Sequence, residues 1–317
     1  MKNMKYKIFR FSFLSGVHIG DGALDDNGIN LHADTLFSAL CIEALKAGSE
    51  ETLGRLKTLV CSDELVFSDA FPFIDEEYYI PKPVFRVESE GDSADKKLFK
   101  NLKYIPLDMA DDYLAGGFVS KTAKYISDKL SNPKNPLGSS AINARVAVRS
   151  GNDDPKPYHV GVYKFGANAG LYIIVGGSDE ALDLFRELLT AVSEVGIGGK
   201  RSSGLGRFGF EEEDLSDEYL EHINGDYPAY ITLSVSLPRN DEIEKTIENA
   251  SYTLLRRSGF VFSETYSKEP VRKNDLYVLG SGSVVKNRFV GDVFDVSHEG
   301  THPVYRYAKP LLYGVKG

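Results

Sequence analysis

Fifteen consecutive residues constrain this chain more than any others: Gly196-Ile197-Gly198-Gly199-Lys200-Arg201-Ser202-Ser203-Gly204-Leu205-Gly206-Arg207-Phe208-Gly209-Phe210. Six of them are glycine, three are cationic and two are serine. Glycine has no Cβ and tolerates positive φ, so such a backbone can approach another molecule closely. Successive N–H groups in a loop of this kind form an anion-binding concavity, and Lys200 and Arg201 put positive charge at its centre. The guest this chemistry suits is a phosphate chain.

Two familiar glycine motifs are excluded. A Walker loop needs Ser or Thr after Gly-Lys, and here Gly199-Lys200 is followed by Arg201, with Glu194 where the first glycine belongs. Gly204, Gly206 and Gly209 match G-x-G-x-x-G, but that fingerprint follows a strand and opens a helix. Here the order is reversed. Ser178 reads as an N-cap, Asp179 and Glu180 suit a first turn, and Leu182, Phe185, Leu189 and Val192 make an apolar stripe, which predicts a helix over 179–194 running into the loop. Phe208 and Phe210 then begin a strand. A helix C-terminus repels phosphate. Any anion is therefore expected on loop amides and on Lys200, Arg201 and Arg207. The alternative is a loop that merely joins two elements, but six glycines with three cations exceed what a connection requires.

The chain has 317 residues, enough for two domains with their own cores. No apolar run is long enough for a membrane helix, and the N-terminus leads into an alternating strand instead of a signal-peptide core. Cys41 and Cys61 lack spacing partners, which argues against disulfides and structural zinc; the cytoplasm is the expected compartment. The net charge of −9 is wrong for a free-standing nucleic-acid binder. It is unevenly spread, however. Residues 211–226 hold eight acids and no Lys or Arg, whereas 252–317 hold ten Lys/Arg against six Asp/Glu. That asymmetry suits a subunit with an RNA face and a protein face, and equally a solvated acidic helix.

Taken in order, residues 5–14 alternate and predict a strand. A loop with Gly16, Gly20, Gly22 and Gly28 follows, and then a helix from an Asp34 cap to about Ala47, closed by Gly48. This order starts a ferredoxin-like βαββαβ unit, which the helix at 179–194 and the strand at 205–210 would close. Between them, 65–85 is aromatic-rich and stranded, 86–135 reads as a polar surface insertion with short helices near 108–114 and 120–130, and 141–164 reads as a long hairpin turning at Ser150–Pro155. Ile142, Ala144, Val146 and Val148 fall on one face of that hairpin, and Asn143, Arg145, Ala147 and Arg149 on the other. Arginines so placed either grip phosphates or keep an edge soluble.

A second, smaller unit starts near Ala229. Its signals are an alternating strand at 230–237, a short helix over 240–249, a strand pair with a basic turn at 252–262, and strands near 276–279, 284–285, 293–296 and 303–307.

Metal-independent RNA cleavage needs a general base, a general acid and a charge stabiliser. His18 in the glycine-rich loop is a candidate base or acid, with Lys200 or Arg201 as stabiliser; His18 and His32 otherwise shape the loop or stack on a base. No carboxylate pair has metal-ligand spacing, and no cofactor motif is present.

Helix, glycine-rich basic loop and short strand together resemble the signature of the RAMP superfamily, the RNA-binding proteins of CRISPR systems. The hairpin, with its Asn-x-Arg start, is similar to the thumb these proteins lay across guide RNA. Gly16-Val17-His18-Ile19-Gly20, Leu31-His32-Ala33-Asp34-Thr35-Leu36-Phe37-Ser38-Ala39-Leu40 and His302-Pro303-Val304-Tyr305-Arg306-Tyr307 resemble the Csm4-type, Cas5-like subunits of type III-A (Csm) effector complexes. The pattern departs from the target-cutting backbone subunit, whose loop aspartate precedes a Pro-Gly-Ser-Ser-type helix start; here Asp34 is read more simply as a cap.

The resemblance implies an α+β protein of two tandem ferredoxin-like (RRM-like) domains, 1–228 and 229–317, the first with the glycine-rich loop and thumb, the second reduced. It implies a non-catalytic subunit that holds the 5′ repeat-derived tag of the crRNA, docks the large polymerase-like subunit and adjoins the backbone RAMP subunit. The alternative is a RAMP endoribonuclease that processes crRNA with His18. The residues expected at RNA are His18, Gly20, Gly198, Gly199, Lys200, Arg201, Ser202, Ser203 and Gly204, with Arg145 and Arg149 on the hairpin and Arg256 and Arg257 in the second domain. No metal or cofactor is expected.

Overall fold

The alternating and apolar segments come together as a sheet buried on both faces in the computed structural model, which describes residues 4–20, 22–47, 50–85, 93–130, 136–147, 156–263 and 265–316. β1 (Lys5–Phe13) leads through a loop to α1 (Ala33–Ala47) and α2 (Glu50–Cys61), followed by β2 (Leu65–Phe67), β3 (Phe71–Ile74) and β4 (Glu77–Pro81). Next come α3 (Ser93–Asn101), β5 (Tyr104–Pro106), α4 (Ala110–Leu114), α5 (Ser120–Leu130) and the hairpin β6 (Gly138–Ala147) and β7 (Lys156–Phe165). β8 (Ala169–Gly177), α6 (Asp179–Val195), β9 (Phe208–Asp214) and α7 (Asp217–Asn224) follow. The remainder holds β10 (Ala229–Thr232), α8 (Ile243–Ile247), β11 (Leu254–Arg257), β12 (Leu276–Leu279), β13 (Val284–Val285), β14 (Asp292–Asp295), β15 (Tyr305–Ala308) and β16 (Leu312–Val315).

The main sheet runs β5-β4-β3-β8-β1-β9, with β2 also on β8, and its pairings are antiparallel. β8 lies inside it, flanked by β3 and β1. All nine residues of β8 are buried. Leu171, Ile173 and Val175 face the layer of α1, α2 and α6, while Tyr172 and Ile174 face the opposite side. A strand covered on both faces shows a continuous apolar run instead of alternation. The architecture is mixed α+β, with antiparallel sheets and helices on both sides.

Several sequence expectations are corrected. The 86–135 segment is more than a surface insertion, because Leu102, Ile105, Tyr113 and Ile126 are buried and complete the core on the sheet's second face, together with Ile231 and Tyr313 from the C-terminal unit. Much of its charged run, like the 150–155 turn, lies outside the described residues. The sequence reading offers no signal for helix α2, whose last residue is Cys61. Arg256 and Arg257 do not sit in a tight turn: β11 pairs with β12, across an intervening stretch from Ser258 to Asp275. Asp34 does not cap α1. The Ala33 N–H donates to Asp69 Oδ1 at 2.8 Å, and the Thr35 and Leu36 N–H groups donate to the His32 carbonyl.

Asp69 ties the two units together. Its carboxylate also accepts from the Val235 N–H at 3.0 Å and from His32 Nδ1 at 2.7 Å. Asp34 does the same on the neighbouring face, where Arg257 and Arg306 close on it. Tyr307 adds apolar contact, stacked on Phe67 with ring centroids 4.3 Å apart.

Candidate nucleic-acid interface

The glycine loop is built by its surroundings. Helix α6 starts as expected, with Ser178 Oγ accepting from the Ala181 N–H, and it ends where Gly196 takes φ +90°. Ile197 is then buried as a plug, and its N–H donates to the Gly206 carbonyl at 2.9 Å. Gly206 N–H donates to Gly16 O at 3.0 Å and Gly199 N–H to His18 O at 2.8 Å, so the loop is laced to residues 15–20. A Cβ at Gly199 would stand 2.5 Å from His18 Cδ2, and one at Gly206 would stand 1.9 Å from Ile197 O. These glycines are needed for close packing within the protein as much as for a guest.

Five loop amides, of Ile197, Gly199, Ser203, Gly204 and Gly206, donate to protein carbonyls. Those of Lys200, Arg201 and Ser202 have no partner among the described residues. The open amides thus cluster at the loop tip, with those of Gly198 and Leu205 also unpartnered among the described residues. Lys200 is there in the left-handed region at φ 58°, and Arg201–Ser203 form a single 3-10 turn with Ser202 and Ser203 exposed.

His18 is buried, and its Nδ1 donates to Gly161 O at 2.7 Å. It thereby pins the loop at 16–20 to the hairpin; Val17 bridges Tyr163 beside it. Gly20 lies against the same imidazole, and Gly198 against the His18 carbonyl. Val160 and Val162 of β7 pack on Leu205, so hairpin and glycine loop share a small core.

Above that core the basic side chains meet aromatic rings. Lys200 Nζ lies 4.8 Å from the centroid of Tyr158 on β7. Arg145 pairs directly across from Tyr158 and shares its face of the hairpin. Arg201 Cζ lies 5.2 Å from the ring of Phe262, which is 68% exposed, and Arg272 Cζ lies 5.3 Å from Phe260. Lys200, Arg201 and Arg145 thus converge with two exposed rings of the C-terminal unit in one basic, aromatic surface. Interleaved cations and rings suit a single-stranded nucleic acid, whose phosphates take the charge while its bases stack.

The other expected residues stand apart. Arg149 lies outside the described residues. Arg256 is ion-paired with Asp275 at 2.7 Å, and Arg257 gives Asp34 two hydrogen bonds of 2.7 and 2.9 Å. The second unit's contribution is Phe262 and Phe260 with Arg272, which sequence reasoning missed. The available signal was the aromatic alternation Phe260-Val261-Phe262.

Burial alone would raise the Asp34 carboxyl, but the positive charges of Arg257 and Arg306, with His32 beside them, hold it down at about 2. Asp34 therefore stays ionised as the anchor between the units.

Comparison with known proteins agrees with this reading of the fold. The RAMP superfamily profile matches residues 10–209, and the CRISPR Csm4 C-terminal domain profile matches residues 225–315. The chain is 38% identical over 309 residues to the CRISPR system Cms protein Csm4 of Mycobacterium tuberculosis, covering 98% of this chain and 97% of the relative. It is 31% identical to Csm4 of Streptococcus thermophilus, covering 98% and 99%. Among solved structures, the Csm3–Csm4 subcomplex of the type III-A CRISPR-Cas interference complex contains a chain with the same fold, at TM-score 0.67, 20% identity and 98% coverage of both chains. The Csm1–Csm4 cassette in complex with AMPPNP contains another, at TM-score 0.60, 19% identity and 98% coverage of both. No helix among the described residues is long and apolar enough to cross a membrane. By sequence and by fold, this chain belongs to the RAMP superfamily and, within it, to the Csm4 proteins of CRISPR systems.

Proposed function

We propose that this chain is a non-catalytic, cytoplasmic RNA-binding subunit of a type III-A CRISPR effector complex, holding the 5′ repeat-derived tag of the crRNA. One observation carries the reading: Lys200, Arg201, Arg145, Tyr158 and Phe262 converge on a surface backed by the laced glycine loop. Phosphates of a short single strand lie along the loop tip, and bases stack on the rings. His18 serves as a strut in this reading, since its Nδ1 is engaged by Gly161 O and its ring is enclosed by Gly20 and Gly199.

The molecule is read as two tandem ferredoxin-like units, 1–228 and 229–317, the second a reduced one with the sheet β13-β10-β16 and the ribbons β11-β12 and β14-β15. Its neighbours in the complex are a backbone RAMP subunit and a large polymerase-like subunit. Solved Csm4 chains pair with Csm3 in one structure and with Csm1 in another, which supports that assignment. The net charge of −9 makes the isolated chain a weak RNA binder that works within its assembly.

The test is a pull-down of the tagged chain from its host, with bound RNA sequenced and partners identified by mass. Small RNAs sharing one repeat-derived 5′ end, together with a large polymerase-like protein, are the expected result. Recovery of neither overturns the reading.

A further inference from the structure

The stretch His302-Pro303-Val304-Tyr305 carries chemistry that the basic, aromatic surface does not use. His302 Nδ1 lies 3.0 Å from the Pro303 carbonyl, which only accepts, so a neutral imidazole keeps its proton on Nδ1. Nε2 is then the acceptor, and Ser263 Oγ lies 2.9 Å from it. Ser263 thus donates its hydroxyl proton to a base whose other nitrogen is held in place, the arrangement that activates a serine. Thr265 Oγ1, 3.1 Å from Ser263 Oγ, brings a donor to the same oxygen.

The pair is braced from behind. The imidazole packs edge-on against Tyr266, with ring centroids 5.1 Å apart, and Tyr266 is buried. Tyr266 Oη accepts from the His298 N–H at 2.8 Å, and Thr301 Oγ1 donates to the Thr265 carbonyl at 2.8 Å. The loops that carry Ser263 and His302 are therefore tied together beside their contact. A nucleophile and base fixed in this way need little rearrangement to react.

Both side chains are half-buried and line an apolar pocket of about 120 Å3 between α1, α2 and the C-terminal unit. Ile42, Leu45, Leu53, Val261 and Val304 wall it. Lys273 lines it too, and among the described residues no carboxylate ion-pairs with its ammonium group. Burial lowers the Lys273 pKa, the charge of Arg306 adds to the effect, and Asp34 opposes it. Negative charge developing in the pocket would give that ammonium group the counter-charge it lacks. An activated hydroxyl, a cation and a short apolar slot together match an acyl group, with its carbonyl carbon at the serine and its chain along the walls.

We propose that Ser263 is an acylation site, taking a short-chain acyl group from an activated ester such as a thioester, with His302 as the general base. Ser263 Oγ bonds to the carbonyl carbon while its proton passes to His302 Nε2, and Lys273 balances the resulting oxyanion. Collapse breaks the carbon–sulfur bond, and the leaving thiolate takes the proton from His302. The products are an O-acyl serine, a neutral imidazole and a free thiol. The inference stands independently of the RNA-binding reading above.

The experiment incubates the full chain with p-nitrophenyl butyrate and maps adducts on its peptides by mass spectrometry. A butyryl group on the peptide carrying Ser263 is the expected result, and Ser263→Ala should abolish it. His302→Gln, which keeps a hydrogen-bonding side chain but takes up no proton, should slow labelling by at least about a hundredfold, with a melting temperature near that of the parent. Leu53→Phe narrows the slot and should slow labelling by the butyrate ester more than by the acetate ester. His302→Gln carries the test where Ser263→Ala does not fold. Adducts confined to surface lysines overturn the proposal. A Ser263 adduct that forms equally fast in His302→Gln also overturns it, since the serine–histidine contact would then only tie two loops together.

Discussion

Asp34 in the first helix and Arg257 in the C-terminal unit meet through two charge-assisted hydrogen bonds, of 2.7 and 2.9 Å, and Arg306 binds the same carboxylate at 2.7 Å. Asp34 and Arg306 are buried. Removing the carboxylate leaves two guanidinium groups facing each other without compensation. Asp34→Asn is expected to destabilise the fold by about 3–5 kcal/mol, read as a lower urea midpoint with an unchanged slope. A loss below about 1 kcal/mol would show that water or a rearranged partner replaces the carboxylate.

The same group sets an acid dependence. Its folded pKa of about 2 lies below the ordinary carboxylate value of 3.8, so ionised Asp34 stabilises the fold above that ordinary value. The contribution is lost as pH falls from about 4 towards 2. Urea midpoints measured across that interval should drop, and Asp34→Asn should flatten this part of the profile.

Charge reversal at the loop tip separates RNA binding from folding. Lys200→Glu with Arg201→Glu should lower affinity for single-stranded RNA by at least about tenfold and reduce the salt slope by roughly two. Thermal stability should stay near that of the parent, because neither side chain forms an ion pair among the described residues. Fluorescence anisotropy over a salt series measures both quantities.

Stacking should be visible at Phe262. With 68% of its surface exposed, the ring adds little to the core, so Phe262→Ala is expected to leave stability unchanged. RNA binding should weaken by about 1–3 kcal/mol. Arg256→Ala should cost less, since that guanidinium is engaged by Asp275. The reverse ranking would move the RNA path onto β11.

The lacing of the loop predicts a backbone effect. Gly206 has φ +80°, and a Cβ there would lie 1.9 Å from Ile197 O. Gly206→Ala should therefore cost at least roughly 1–3 kcal/mol and weaken RNA binding by displacing the tip, both seen in parallel melting and binding assays.

What could be read from the residues follows from how local each signal is. Ser178 and the stripe behind it announce α6, because caps and helical periodicity are local. Residues 5–14 announce β1 in the same way, and the composition of 196–206 announces a close-approach loop. Partners distant in the chain were not legible. Asp34 has the look of a cap, and only the arrival of Arg257 and Arg306 turns it into an anchor. Asp69, 36 residues after Ala33, supplies the bond a local cap would have made. The 86–135 segment is polar on average, yet Ile105 and Ile126 are fully buried, since an amphipathic cover needs few apolar residues. The aromatic half of the proposed RNA surface was missed because only the fold brings Phe262 to Arg201 from far along the chain.

The convergence of Lys200 and Arg201 with Phe262 has a consequence for synthesis of the chain. The loop emerges from the ribosome well before the stretch that carries Phe262, and before Val235, Arg257 and Arg306, whose bonds to Asp69 and Asp34 seat the second unit. A nascent or prematurely terminated chain therefore displays the glycine loop without its stacking rings. Under the proposed function, the complete strand-holding surface therefore forms only once the C-terminal part of the chain has been made.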